Sequence, residues 1–146
     1  MVKFVKKDVA GFSPDQREQF KNVIAALSAE AGLNSQHDLD QRDASLINAG
    51  KTLIAGESMR CTECHQFHKP DEDATAPDLT GFGSRDWLID FISNPAHARF
   101  YGKRNDRMPA FGEEKVLDAH AIGLLADWLR GDWYEPTNGV SLSATN

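Results

Sequence analysis

The two cysteines of the chain lie in one short stretch, Cys61-Thr62-Glu63-Cys64-His65, with two residues between the thiols and a histidine directly after the second. This spacing is the attachment signature of a c-type haem. Two thiols placed in this way can add across the vinyl groups on one edge of a porphyrin, and the adjacent imidazole can then reach the iron. The motif predicts one haem c, bound covalently through Cys61 and Cys64, with His65 as an iron ligand.

Three other interpretations of these residues are open on the motif alone. A thioredoxin-like redox couple requires a βαβ context and a thiolate of low pKa at a helix start, but no strand pattern precedes Cys61. A zinc site could use Cys61, Cys64, His65 and His68, although the adjacent Cys64 and His65 fit poorly on one tetrahedral ion. A disulfide between the two cysteines is the third alternative.

The chain is acidic, with 22 acidic and 16 basic residues among 146, and its formal net charge is -6. This length is enough for one domain with a buried core. The acidic balance argues against binding to nucleic acid and favours redox partners with a basic docking face. An acidic surface that only keeps the protein in solution explains the charge equally well.

No segment of the sequence has the features of a membrane anchor or an export signal. The longest apolar runs are far shorter than the roughly 18 residues that cross a bilayer. The basic start of the chain does not lead into an apolar signal core, because Asp8 and Gly11 follow directly. Haem c is nevertheless attached outside the cytoplasm. We therefore expect a periplasmic or other extracytoplasmic location, and a chain that is processed or excised from a larger protein.

Helical periodicity and helix-capping signals predict an all-α fold. Ser13 and Pro14 start the first predicted helix, with an apolar stripe from Phe20 to Leu27. A second helix is predicted over 44–56 around Gly50, where a glycine indicates close approach by another helix. A third follows Ser84, and a last one spans 118–130. Residues 34–43 are predicted to be a linker. The buried side of the last helix is predicted to comprise Ile122, Leu125, Ala126, Trp128 and Leu129.

The sixth coordination position of the iron needs a ligand on the other side of the ring. Met59 is too close to the attachment motif to fold over that side, and Met1 lies at the start of the chain. Met108 lies 43 residues after His65, which is enough chain for one helix and a return loop, and Pro109 stiffens its approach. We therefore predict Met108 as the sixth ligand. The remaining candidates are His37, His68, His97 and His120.

Four segments together resemble class I cytochrome c, in the same order along the chain. They are Cys61 to His65, Ala76-Pro77-Asp78-Leu79-Thr80-Gly81, Met108-Pro109-Ala110-Phe111 and Leu124-Leu125-Ala126-Asp127-Trp128-Leu129. The resemblance covers about residues 43–131 and implies a helical fold wrapped around haem c, with His65 and Met108 on opposite sides of the iron. It also implies that the Pro77 carbonyl accepts a hydrogen bond from His65. Gly50 and Trp128 would lie where the first and last helices of the domain cross. The chain departs from the family at Leu53 and Ile54, where an aromatic residue is usual.

The predicted function is one-electron transfer through the haem, as a carrier or as the haem domain of a respiratory complex such as a cytochrome bc-type quinol reductase. Such a module is not itself an enzyme and requires no small-molecule substrate. Its partners would be redox proteins or other subunits of that complex. The alternative is a haem-based sensor or peroxidase-type enzyme in which Met108 is displaced. Trp87, Tyr101 and Arg107 are candidates for lining the pocket or holding the haem propionates.

The predicted domain organisation has three parts. Residues 1–38 form an N-terminal extension with one amphipathic helix and a linker, 39–134 form the haem domain, and 135–146 form a flexible tail. The layout of 12–27 is similar to that of 111–129, a loop followed by a terminal helix. The first helix could thus be the end of an upstream haem domain, although two unrelated amphipathic helices explain the similarity as well.

Overall fold

The computed structural model of the chain describes residues 4–56 and 58–132, and the predicted tail over 135–146 lies outside them. Within these ranges the chain is helix and loop, with no β-strand, so the all-α prediction is confirmed. Short π and 3-10 segments precede and connect the α-helices. The α-helices of the described part are α1 (Pro14–Glu30), α2 (His37–Arg42), α3 (Ala44–Ala55), α4 (Arg85–Ser93) and α5 (Ala119–Arg130).

Helix α1 starts at the predicted capping box. The Ser13 hydroxyl accepts a hydrogen bond from the Gln16 amide at 3.2 Å, and the Gln16 side chain accepts one from the Ser13 amide at 2.9 Å. These two bonds satisfy backbone donors that a helix start leaves unpaired. The helix ends before Gly32, whose φ of +56° is in the left-handed region. The predicted first helix is confirmed.

Helix α1 crosses α3 at Gly50, where the two backbones are in direct contact. A Cβ atom built on Gly50 would lie 2.0 Å from the Asn22 carbonyl oxygen and 2.8 Å from the Ala26 Cβ. The predicted close approach at Gly50 is therefore confirmed, but the expected partner is wrong. Gly50 faces α1 rather than α5, and the Trp128 side chain in α5 is 61% exposed. The small Ala26 of α1 is fully buried in this crossing.

Helix α5 packs on α4, begins one residue after the predicted start and ends at the predicted residue. The Asp118 side chain accepts a hydrogen bond from the Ala121 amide at 2.8 Å, and Gly131 ends the helix with a φ of +71°. The Arg85 and Asp127 side chains join α4 to α5 at 2.6 Å. Its buried side is narrower than predicted, because α4 covers only one flank of the helix. Ile122 and Ala126 are buried as predicted, whereas Leu125, Trp128 and Leu129 are exposed.

The linker predicted over 34–43 is helical instead. Asn34–Gln36 form a 3-10 turn, which leads directly into α2. The six residues of α2 are too few to show a period in the sequence. Two acidic residues in its first turn, Asp38 and Asp40, stabilise the helix because their negative charges are attracted to the positive end of the helix dipole. The Gln36 side chain ties this segment to α1 by accepting a hydrogen bond from Ser28 at 2.9 Å.

The hydrophobic core joins α1 and α3 to the cysteine-containing segment. Its buried members are Val23, Ala26, Ile54, Met59 and Phe67. A second, aromatic cluster surrounds α4, with Trp87 at its centre and the rings of Phe82, Phe91 and Phe100 at centroid distances of 5.0 to 5.2 Å. These two clusters flank the loops that carry the candidate site. Among the described helices, none is long and apolar enough to cross a membrane.

Candidate haem-attachment site

The two cysteines and His65 share one tight turn. Cys61–Glu63 form a 3-10 turn, and the Cys61 carbonyl accepts hydrogen bonds from the Cys64 amide at 3.3 Å and the His65 amide at 3.0 Å. Arg60 enters the turn with a φ of +55° and pairs with Glu63 through two bonds of 2.6 and 2.7 Å. Both cysteines are free thiols, so the structure does not contain the disulfide alternative.

The environment of Cys61 does not favour a thiolate. Burial raises the pKa of the half-buried Cys61 thiol, and its sulfur lies 3.6 Å from the Met59 carbonyl oxygen. A thioredoxin-like couple needs the opposite shift, because its attacking thiol must ionise near neutral pH. Cys64 is exposed. The environment of Cys61 therefore argues against a thioredoxin-like attacking thiol at this position.

The imidazole of His65 is fixed by a backbone acceptor. Its Nδ1 atom lies 2.7 Å from the carbonyl oxygen of Pro77, which is the hydrogen bond that the resemblance implies. A carbonyl can only accept, so Nδ1 carries the proton of the neutral ring, and in that tautomer Nε2 keeps its lone pair for a metal. An acceptor of this kind fixes the tautomer and the ring orientation and raises the basicity of the ligating nitrogen.

Pro77 holds this position because its loop runs alongside the cysteine-containing segment. The Cys64 carbonyl accepts hydrogen bonds from the Thr75 and Ala76 amides at 2.9 and 2.8 Å, and the Gln66 carbonyl accepts one from Leu79 at 2.9 Å. The His68 amide donates to the Thr80 hydroxyl at 2.8 Å. We call residues 64–68 and 75–81 the paired segments. They bring Cys61, Cys64, His65 and Pro77 into one hydrogen-bonded cluster.

A buried aspartate supports the loop from its other side. The Asp78 side chain is 7% exposed and accepts hydrogen bonds from the Arg99 guanidinium at 3.1 Å and the Thr80 amide at 2.8 Å. The Asp78 carbonyl accepts a bond from the Trp87 indole at 3.0 Å. Sequence reasoning missed Asp78 and Arg99, since two residues 21 positions apart leave no local signal.

The three candidates for lining the pocket or holding propionates have different positions. Trp87 is buried, and its only polar hydrogen is already donated to Asp78. It therefore positions the loop and cannot also donate to a propionate through that group. Tyr101 is 45% exposed and contacts the ring of Phe91. The Arg107 side chain is 90% exposed and lies 3.7 Å from Asp106.

Met108 belongs to a separate loop that is attached to the end of α4. The Asn105 side chain brackets it by donating to the Met108 carbonyl at 2.7 Å and accepting from the Met108 amide at 3.3 Å. Further along, the Ser93 carbonyl accepts hydrogen bonds from the Gly112 and Glu113 amides at 3.2 and 3.3 Å. Helix α4 thus carries both the Pro77 loop, through Trp87, and the Met108 loop, through Ser93.

Several of the other candidate iron ligands are engaged elsewhere. Met59 is 4% exposed and belongs to the apolar core. The Nε2 atom of His68 lies 2.9 Å from the Glu30 carboxylate, and Nδ1 of His97 accepts a hydrogen bond from the Arg99 amide at 3.2 Å. His68 therefore points to the end of α1 rather than to the cysteines. No group of three His, Cys, Asp or Glu side chains that could hold a metal ion occurs in the described part of the chain.

Two cavities lie next to these segments. One of about 590 Å³ lies behind the Met108 loop, and the other, of about 570 Å³, lies between the end of α3 and the segment 67–68. Both are in the size range of ligand sites. Neither is lined by Cys61, Cys64, His65 or Met108, so these residues are not in the walls of the two cavities. The lining residues of the first include Ser93, Gly112, Leu117 and Ile122.

Comparison of the chain with protein-family models, with curated proteins and with solved structures finds no match.

Proposed function

We propose that the protein transfers single electrons through one haem c in a domain of the class I cytochrome c type. The observation that carries the proposal is the hydrogen bond from His65 to Pro77, which leaves the second ring nitrogen free beside two unpaired thiols. Cys61 and Cys64 would hold the haem covalently, and His65 and Met108 would bind its iron. When bound, the haem supplies reversible one-electron chemistry at its iron.

The residues of the chain have distinct tasks in this proposal. The Pro77 carbonyl orients His65 and increases its donor strength. A thioether such as that of Met108 is a soft ligand that favours the ferrous state and raises the reduction potential. Asn105 fixes the backbone on both sides of that methionine. None of these tasks requires bond changes in a substrate, so the proposed module is not itself an enzyme.

The proposed partners and location follow from charge and from the chemistry of attachment. A net charge of -6 favours redox proteins that present a basic docking face, including other subunits of a membrane respiratory complex. Haem c attachment requires an extracytoplasmic compartment, which we propose as the site of action.

The test is production of the chain in a host that exports it and attaches haem c. We expect a covalent haem that stays with the chain after denaturation. Cys61→Ala with Cys64→Ala should abolish this attachment. Met108→Ala should lower the reduction potential, remove the long-wavelength ferric absorption of a sulfur–iron bond and allow carbon monoxide to bind rapidly.

Met59→Leu is the matched control, because it replaces the buried methionine by a side chain of similar volume and should leave the potential unchanged. If no haem attaches, the proposal is wrong. If the parent chain already binds carbon monoxide rapidly and lacks the sulfur–iron absorption, the sensor or peroxidase-type alternative is favoured instead.

A further inference from the structure

Glu30, the last residue of α1, is a buried carboxylate with three donors around it. Its side chain is 5% exposed, and it accepts from His68 Nε2 at 2.9 Å, the Gly81 amide at 2.8 Å and Lys51 Nζ at 3.2 Å. Burial raises the pKa of Glu30, but the bonds from His68, Gly81 and Lys51 together lower it below its usual value. The group is therefore charged at neutral pH.

Two of these donors come from the two paired segments that place His65 against Pro77. His68 follows His65 by three residues, and Gly81 follows Pro77 by four. His68 has a φ of +51°, a left-handed conformation that is uncommon for a residue other than glycine. One carboxylate thus binds both segments at the end where their backbone hydrogen bonds stop.

We propose that Glu30 is a positioning residue of the haem site, which holds the paired segments together and so keeps the Pro77 carbonyl against His65. This proposal depends on the proposed function for its effect on the iron, but not for its effect on the two segments. It makes α1 part of the haem site, although its residues lie outside the stretch that resembles cytochrome c. The third donor, Lys51, extends the same contact to α3.

The variant that tests this role is Glu30→Gln, since its uncharged amide has one acceptor oxygen instead of two and cannot accept from all three donors. Hydrogen exchange should become about tenfold faster at the amides of Ala76 and Leu79 and at the His65 Nδ1 proton, because local opening of the paired segments becomes easier. With haem attached, the reduction potential should rise, since a weaker hydrogen bond makes His65 a poorer donor.

Glu30→Asp distinguishes positioning from charge alone. Aspartate keeps the negative charge but is one methylene too short to reach both segments, so we expect exchange and potential to resemble those of Glu30→Gln. Restoration of the parent values by aspartate would overturn the proposal. Glu18→Gln is the control, because it removes an exposed carboxylate from the same helix, where it pairs with Lys21 at 2.9 Å.

The remaining outcomes are also decisive. Unchanged exchange at Ala76, Leu79 and His65 in Glu30→Gln contradicts the proposal. If that variant does not fold, His68→Asn removes one of the three contacts with a residue that tolerates positive φ. His68→Asn should then accelerate hydrogen exchange at Ala76 and Leu79 by about threefold, and unchanged exchange in this variant would also contradict the proposal. A chain without haem contradicts the proposed function, while amide exchange on that chain still decides the role of Glu30.

Discussion

The Nδ1 atom of His65 donates a hydrogen bond of 2.7 Å to the backbone carbonyl of Pro77, 12 residues further along the chain. No side-chain substitution at position 77 can remove that acceptor. Its position depends instead on the neighbours that fix the loop. Asp78 is a buried residue among these, and its two side-chain oxygens bind Arg99 and the Thr80 amide.

We expect Asp78→Ala to lower the free energy of unfolding by about 2 to 4 kcal/mol, because it leaves two donors without their partner in a buried site. Asp90→Ala is the matched control. Asp90 pairs with the same Arg99 at 3.2 Å, but its side chain is 58% exposed, so its loss should cost less than about 1 kcal/mol. Urea unfolding of both variants checks the difference. Equal losses in the free energy of unfolding would show that burial does not make Asp78 contribute more to stability than Asp90.

The two glycines inside helices should respond in opposite ways to alanine. Gly50→Ala places a Cβ 2.0 Å from the Asn22 carbonyl oxygen, a backbone atom that can move only if α1 moves. We expect a loss of about 1 to 3 kcal/mol in the free energy of unfolding. In Gly123→Ala the nearest atom is the end of the flexible Arg85 side chain, at 3.1 Å. There the higher helix propensity should leave stability unchanged or raise it by up to about 1 kcal/mol.

Thermal and urea unfolding measure both glycine variants. A loss at Gly50 no greater than that at Gly123 would contradict the close crossing of α1 and α3.

Helix ends were predictable because their signals are local. Ser13 with Gln16, Ser84 with Trp87 and Asp118 with Ala121 are each contacts between residues three apart. Ser13 and Ser84 start their helices as the sequence indicates, and Asp118 caps a helix that begins one residue later than predicted. The spacing of Cys61, Cys64 and His65 is equally local. These features do not depend on how the helices pack against one another, so they can be read from the sequence.

Helix pairing was less predictable, because an apolar stripe does not specify which helix covers it. Gly50 indicated a close neighbour, yet α1 takes the place expected for α5, and Trp128 is left exposed. The support of the site by Glu30, Asp78 and Arg99 was missed for the same reason. Each of these contacts joins residues far apart in sequence, and only the fold brings them together.

Arg130 should be irreplaceable by lysine. Its side chain is 8% exposed and donates to the carbonyls of Ala31, Gly32 and Gly83, which binds the end of α5 to the end of α1. The carbonyls at a helix end lack partners within the helix, and lysine does not have the planar fork that reaches several of them. We expect Arg130→Lys to lower the free energy of unfolding, measured in urea, by about 2 to 3 kcal/mol.

Arg107→Lys is the control for Arg130, because its side chain is 90% exposed, and it should change stability by less than about 0.5 kcal/mol. A similar, small effect at both positions would mean that Arg130 does not tie the two helices together.

The stabilisation by Glu30 should depend on pH in a definite direction. Its pKa is lowered in the folded state from the usual value of 4.5, so its contribution is fully present above that pH and is lost as the pH falls through the folded-state pKa. Glu30→Gln should therefore cost about 2 to 3 kcal/mol at pH 7 and progressively less in acid below pH 4.5. Urea unfolding of the parent and of Glu30→Gln over this range measures the difference. Glu18→Gln removes an exposed carboxylate and so corrects for the loss of one acidic group. If the loss in free energy of unfolding caused by Glu30→Gln stays constant as the pH falls below 4.5, Glu30 does not stabilise the fold as a charged group.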